Sequence, residues 1–268
     1  MSVERVGGVA GYVWQSMRRD WRIALTHHAP FVFDLLGLVA NCAVFYFLGR
    51  FAGHAHSRAS FFAFAVAGLA ILRLNSGMPR IVQGLTEGLG SGNLELLLNT
   101  RRAPATVVIG ESSFELLRGG LLASAAVGVA VAVFGAPAST APAGLLAVAF
   151  GLLVAVVLFF GLAALTAAAL LVIRQAGALT TLGSMAMPLV AGAYFPIGSL
   201  PQPLEAISAV LPFRAAVELI RGGLLHGSFL TAPAVELCAG TLVFVGVALF
   251  AFDRAVRHAR NASTLGLA

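Results

Sequence analysis

The sequence predicts an all-α polytopic membrane protein with six transmembrane helices, and three observations carry that expectation. Mean hydropathy is +0.93, with 59% hydrophobic and only 10% charged residues among 268. Apolar runs recur that are long enough, at about 18 residues or more, to cross about 30 Å of hydrocarbon as helices. Alternating strand patterns are absent, which argues against a transmembrane barrel. Three regions follow: residues 1–30 as an N-terminal interfacial helix on the cytoplasmic side, residues 31–253 as the six-span domain, and residues 254–268 as a short basic tail.

The first element is "WQSMRRDWRIAL", residues 14–25. Trp14, Met17, Trp21 and Leu25 share one helical face, while Arg18, Asp20 and Arg22 lie largely opposite. An apolar, tryptophan-bearing face beside a basic one predicts a helix lying in the membrane surface. Glu4 and several glycines occupy the place of a compact apolar signal core, so no cleaved signal is expected and the first span serves as its own insertion signal.

The spans are expected near Phe31–Phe51, Ser60–Val82, Ala105–Phe134, Ala143–Ile173, Ala178–Phe195 and Ala232–Phe252. At about 1.5 Å per residue the fourth is roughly 46 Å long and must tilt or protrude. Gly183, Pro188 and Gly192 predict a bent or closely packed fifth span. With both termini inside, eleven of the 17 arginines fall on the cytoplasmic side. Only Arg50, Arg58, Arg214 and Arg221 fall outside, and Arg73 and Arg118 lie within spans. Positive residues concentrate on the cytoplasmic side of membranes, which sets the orientation.

Between the second and third spans stands "GNLELLLNTRR", residues 92–102. Leu94, Leu97 and Leu98 form an apolar stripe, with Glu95, Asn99 and Arg102 at polar positions. Such a short amphipathic helix can rest on lipid headgroups or fit a groove on a soluble partner. Beyond the fifth span, residues 195–227 are too broken by Pro196, Pro201, Pro203 and Pro212 for one crossing helix, and too apolar for a free loop. Two short helices re-entering the outer leaflet fit, the second carrying Arg214, Glu218 and Arg221 on one face.

Charges inside spans are costly and should pair or face water. Glu111, Glu115 and Arg118 lie along one face of the third span, with Arg73 at similar depth on the second. The expected arrangement is an intramembrane polar network, with Arg73 and Glu115 either paired for packing or lining a path.

Several function classes drop out. The basic residues are all arginine; without lysine there is no Walker A loop and no pyridoxal Schiff base. The net charge of +6 reflects membrane asymmetry rather than nucleic-acid binding. Cys42 and Cys238 sit in apolar runs as small hydrophobes. The six histidines fall at span ends or in loops, leaving Ser91 without a base and Asp34 without a second carboxylate, so no catalytic constellation and no metal site is expected.

At this point the chain resembles the membrane subunits of type-2 ATP-binding-cassette exporters. That family carries a cytoplasmic "G-T-L-E-x-L-L-x-T-P" element after its second span, matched by Gly92, Leu94, Glu95, Leu97, Leu98 and Thr100, with Asn93 for the usual Thr and Arg101 for the usual Pro. Its outer "F-P-x-x-x-L-P-x-x-L…L-P" motif is matched by Phe195, Pro196, Leu200, Pro201, Leu204, Leu211 and Pro212. The resemblance implies that Gly92–Arg102 is a coupling helix, Arg101 and Arg102 included, seated in a cleft of a separate nucleotide-binding ATPase subunit. It further implies that the outer hairpin gates the exit.

ATP and Mg would then be held by that partner and none by this chain, which is a transport subunit rather than an enzyme. Further expected partners are a second copy of the permease in a homodimer and the membrane lipids. The expected location is the prokaryotic plasma (inner) membrane, multi-pass, with both termini cytoplasmic. With three Tyr and two Trp there is little aromatic surface for stacking a long sugar, so a hydrophobic, lipid-like or drug-like cargo is expected. The alternatives are export of a lipid-linked polysaccharide, or a channel or membrane scaffold without ATP coupling.

Overall fold

A computed structural model describes residues 3–26, 29–52, 58–90, 104–173, 176–194, 198 and 201–261. Among them every regular element is an α-helix. They are α1 (Val3–Thr26), α2 (Ala29–Ala52), α3 (Arg58–Asn75), α4 (Met78–Gly90), α5 (Pro104–Ala132), α6 (Pro142–Ile173), α7 (Ala176–Val190), α8 (Gln202–Val210), α9 (Phe213–His226) and α10 (Thr231–Asn261). Among the described residues, four stretches are long and apolar enough to cross a membrane: Pro30–Phe51, Ile109–Ala132, Pro142–Val172 and Thr231–His258. This is a multi-pass, all-helical membrane protein.

The second expected span does not run unbroken. Its helix stops at Asn75, and a new one starts at Met78. The Ser76 hydroxyl donates to the Arg73 carbonyl at 2.7 Å, ending the ladder locally. Pro79 then disfavours helical geometry at the residue before it and fits the first turn of the next helix. The fifth expected span also ends early. Pro188 lies near the end of α7, which stops at Val190 before a turn where Gly192 has φ 68°. Fifteen residues reach only about 22 Å. The last helix errs in the other direction, since α10 continues to Asn261 and the expected boundary at 254 falls inside it.

α6 is the centre of the bundle. Ala155, Leu158, Phe159, Ala163 and Ala164 are fully buried on it. Small residues let its neighbours come close, as between helices in lipid generally. A Cβ on Gly144 would meet the Gly223 carbonyl at 2.5 Å, and one on Gly223 would meet the Gly144 carbonyl at 2.6 Å, so α6 and α9 touch backbone to backbone. α9 is consequently a core helix, with Phe213, Ala215, Ala216, Val217, Leu219 and Ile220 all buried. By contrast α2 buries little beyond Leu38 and Cys42 and presents residues such as Phe33, Phe47 and Phe51 outward.

Candidate functional site

Among the described residues, the densest charge is a closed ring on three helices. Glu115 and Arg118 stand three residues apart on α5, a spacing that puts both on one face. The break at Ser76–Gly77 places Arg80 in the first turn of α4, and Asp34 faces both from the start of α2. Arg80 spans Asp34 at 3.0 Å and Glu115 at 3.2 Å. Arg118 contacts the other oxygen of each, Asp34 and, at 3.4 Å, Glu115. The ring alternates in sign and sums to zero. Arg118, 9% exposed, also lies 4.7 Å from the centroid of the Phe31 ring, a cation–π contact, while its Nε finds no partner. Removing one member of a buried ion pair commonly costs about 3–5 kcal/mol, because the other charge stays behind.

α1 joins this site from the side. Arg19 pairs with Glu111 on α5 at 3.2 Å, the Tyr12 hydroxyl donates to the other Glu111 oxygen at 3.3 Å, and Trp21 meets Phe114 edge-on. The Tyr12 ring fits closely over Gly110, where a Cβ would approach it to 2.4 Å. A hydrogen bond to Asp20, with the charge of Glu111, raises the Arg19 pKa against the opposing effect of burial. The Arg19 guanidinium is therefore kept charged throughout the ordinary pH range. Trp14, Arg18, Trp21 and Arg22 remain exposed. Between α1, α2, α4 and α5 opens a cleft of about 430 Å³, lined by Arg19, Phe31, Arg80, Glu111, Glu115 and Arg118.

The expected network of Arg73, Glu111, Glu115 and Arg118 is thus redrawn. Arg73 does not meet Glu115; its guanidinium donates to the Gly37 carbonyl of α2 at 2.5 Å. Glu111 belongs to the α1 contact. Glu115 and Arg118 are together, but their partners Asp34 and Arg80 escaped the sequence reading. A signal existed for each. Asp34 is the one acid in an otherwise apolar first span, so a cation had to come to it. The Ser-Gly-Met-Pro run announced the helix break that turns Arg80 inward.

Toward the other end of the bundle, Arg214 and Glu218 pair at 2.7 Å across one turn of α9. Arg221 lies 3.5 Å from the centroid of the Phe64 ring and donates to the Gly192 carbonyl at 3.2 Å, tying α9 to α3 and to the turn after α7. Of the outer-motif residues, Pro201 is the N-cap of α8, Leu204 lies on α8, and Pro212 is the N-cap of α9. Phe195, Pro196 and Leu200 lie outside the described residues, as does the whole block of Gly92, Leu94, Glu95, Leu97, Leu98, Thr100, Arg101 and Arg102.

A family model described as "ABC-2 type transporter" matches residues 10–225, from within α1 to the end of α9. No curated protein matches the chain. A match over this much of the sequence shows that the chain belongs to the ABC-2 type transporter family.

Proposed function

We propose that this permease subunit of the ABC-2 family is the membrane half of an ATP-driven exporter. It moves a hydrophobic, lipid-like or drug-like molecule outward while a separate subunit hydrolyses ATP. Permeases of this family generally work with an ATP-binding subunit. Two copies of the chain enclose the route in a prokaryotic inner membrane, with six crossings and both termini cytoplasmic, α3 with α4 and α7 completing the set that the four longer helices begin.

One observation supports coupling above the others. The block at residues 92–102 is flanked directly by α4 and α5, and these are the two helices whose charges close the ring on α2. A partner that pushes on the block pushes on α4 and α5 together. The ring's alternating contacts permit either helix to trade one partner for another as it shifts, and a polar cluster able to exchange contacts can serve as a two-state element.

The decisive variant is Leu97→Asp. In a partner cleft it would bury an unpaired charge, at a cost of several kcal/mol. Co-purification with the ATPase and substrate-stimulated hydrolysis should both fall at least tenfold, while membrane insertion is unchanged. Normal recovery of the complex with normal stimulated turnover would reject coupling through this block and favour a channel or scaffold.

A further inference from the structure

α7 and α8 take no part in the charge ring, yet with α6 they line a second, half-open cavity of about 490 Å³. Leu162 and Leu165 on α6, Met187 and Val190 on α7 and Ile207 on α8 make its walls apolar. Its volume lies within the range of about 300–1,000 Å³ usual for small-molecule sites.

Asn75, at the last turn of α3, supplies a polar lining. This side chain is 6% exposed. Its Nδ2 donates to the Ser184 carbonyl at 2.7 Å, which fixes the amide's orientation, while its Oδ1 is buried without a partner. An amide acceptor so enclosed and unpaired is uncommon in folded proteins. The two hydroxyl protons nearby are already committed, Ser184 to the Thr181 carbonyl at 2.9 Å and Thr166 to the Leu162 carbonyl at 2.8 Å. The hydroxyl donors beside the cavity are thus spent, while the Asn75 oxygen is an acceptor to spare. It matches a ligand that brings a donor of its own.

We propose that this cavity binds one membrane-dissolved amphiphile within a single subunit. Its apolar body lies among α6, α7 and α8, and its hydroxyl or amine hydrogen is donated to Asn75 Oδ1. The same chemistry belongs to an exported cargo and to a hydroxylated lipid of the bilayer. Calling the ligand cargo rests on the transport reading above; the binding itself does not.

The test uses the full chain with its ATPase in phosphatidylcholine nanodiscs. The probe is a twelve-carbon alcohol carrying a diazirine, compared with its methyl ether, which has the same body and no donor. Irradiated without ATP, the alcohol should label residues 183–190 and 204–211. Labelling should be about fivefold weaker with the ether, and about fivefold weaker with the alcohol in Asn75→Leu, as loss of one hydrogen bond implies. Met187→Trp, which fills the space and leaves Asn75 intact, should suppress both probes; thermal melting confirms that each variant is folded.

Equal labelling by alcohol and ether would overturn the role of Asn75, and labelling elsewhere, or undiminished in Met187→Trp, would overturn the site. Trapping with ATP and vanadate then separates the sources. Lost labelling assigns the cavity to cargo, whereas unchanged labelling overturns that assignment in favour of a resident lipid. Because binding is read without nucleotide, a failure of the coupling reading leaves this result standing, and the reverse.

Discussion

The charge ring of α2, α4 and α5 and the packed seam of α9 both hold arginines among apolar helices, by opposite means. In the ring, Arg80 and Arg118 share two carboxylates, and each contact has an alternative partner within reach. At α9, Arg221 is held by a backbone carbonyl and an aromatic face, and the helix behind it touches α6 through facing glycines. A salt-bridge ring can rearrange at modest cost because its charges remain compensated. A glycine seam has no second arrangement, since its contact is steric and close-packed interiors give little. The first region has alternative contacts within reach, and the second has none.

The largest expected effect tests the seam. Gly223→Val would drive a Cβ to 2.6 Å from the Gly144 carbonyl, a backbone atom with nowhere to retreat. Overpacking typically costs about 1–3 kcal/mol and here should reach or exceed the top of that range. The expected outcome is loss of the monodisperse peak on size exclusion in detergent. A variant melting within a degree or two of wild type would show the seam to be loose and erase the contrast.

The ring comes next. Arg118→Gln should cost about 2–4 kcal/mol, since Asp34 and Glu115 would then share Arg80 alone. Asp34→Asn added to it should return part of that loss. A double-mutant cycle on thermal stability measures the return, and simple additivity would dissolve the ring as an energetic unit.

A finer cut separates the two arginines of the second apolar run. Arg80→Gln and Glu115→Gln should couple by about 1 kcal/mol, the Arg80 side chain being 36% exposed and partly screened. Arg73→Gln and Glu115→Gln should add independently. Coupling in the second cycle and none in the first would restore Arg73 as the partner. The smallest effect is a control for the seam. Gly246→Ala, on α10 with open space around it, should leave stability unchanged or raise it by up to about 1 kcal/mol. Destabilisation there would mean that glycines matter in this bundle for reasons other than close approach.

Much of the fold was legible because insertion into a bilayer is decided locally. Long apolar runs became α2, α5, α6 and α10 with ends shifted by few residues, except where α10 ran on past its expected end. Local rules also account for the helix ends at Ser76–Gly77 and at Pro188–Gly192, where residues that stop a helix outweigh a continuous apolar run. The pairing inside the ring was harder to read. Depth along a span places Arg73 and Glu115 at similar heights, but height says nothing of rotation about the helix axis, and rotation turned Arg73 to the Gly37 carbonyl.

By itself the sequence determined that this is a multi-pass helical membrane protein, and its leucine-striped block and proline-rich outer segment carried the family resemblance. Those properties live in hydropathy and in short motifs, which need no partner in space. Only the tertiary structure decided that Arg80 and Asp34 complete the ring, that α9 is a core helix and that Asn75 lines an apolar cavity with its oxygen unpaired. Each of these depends on residues from three or more helices meeting, and no window of the sequence contains such a meeting.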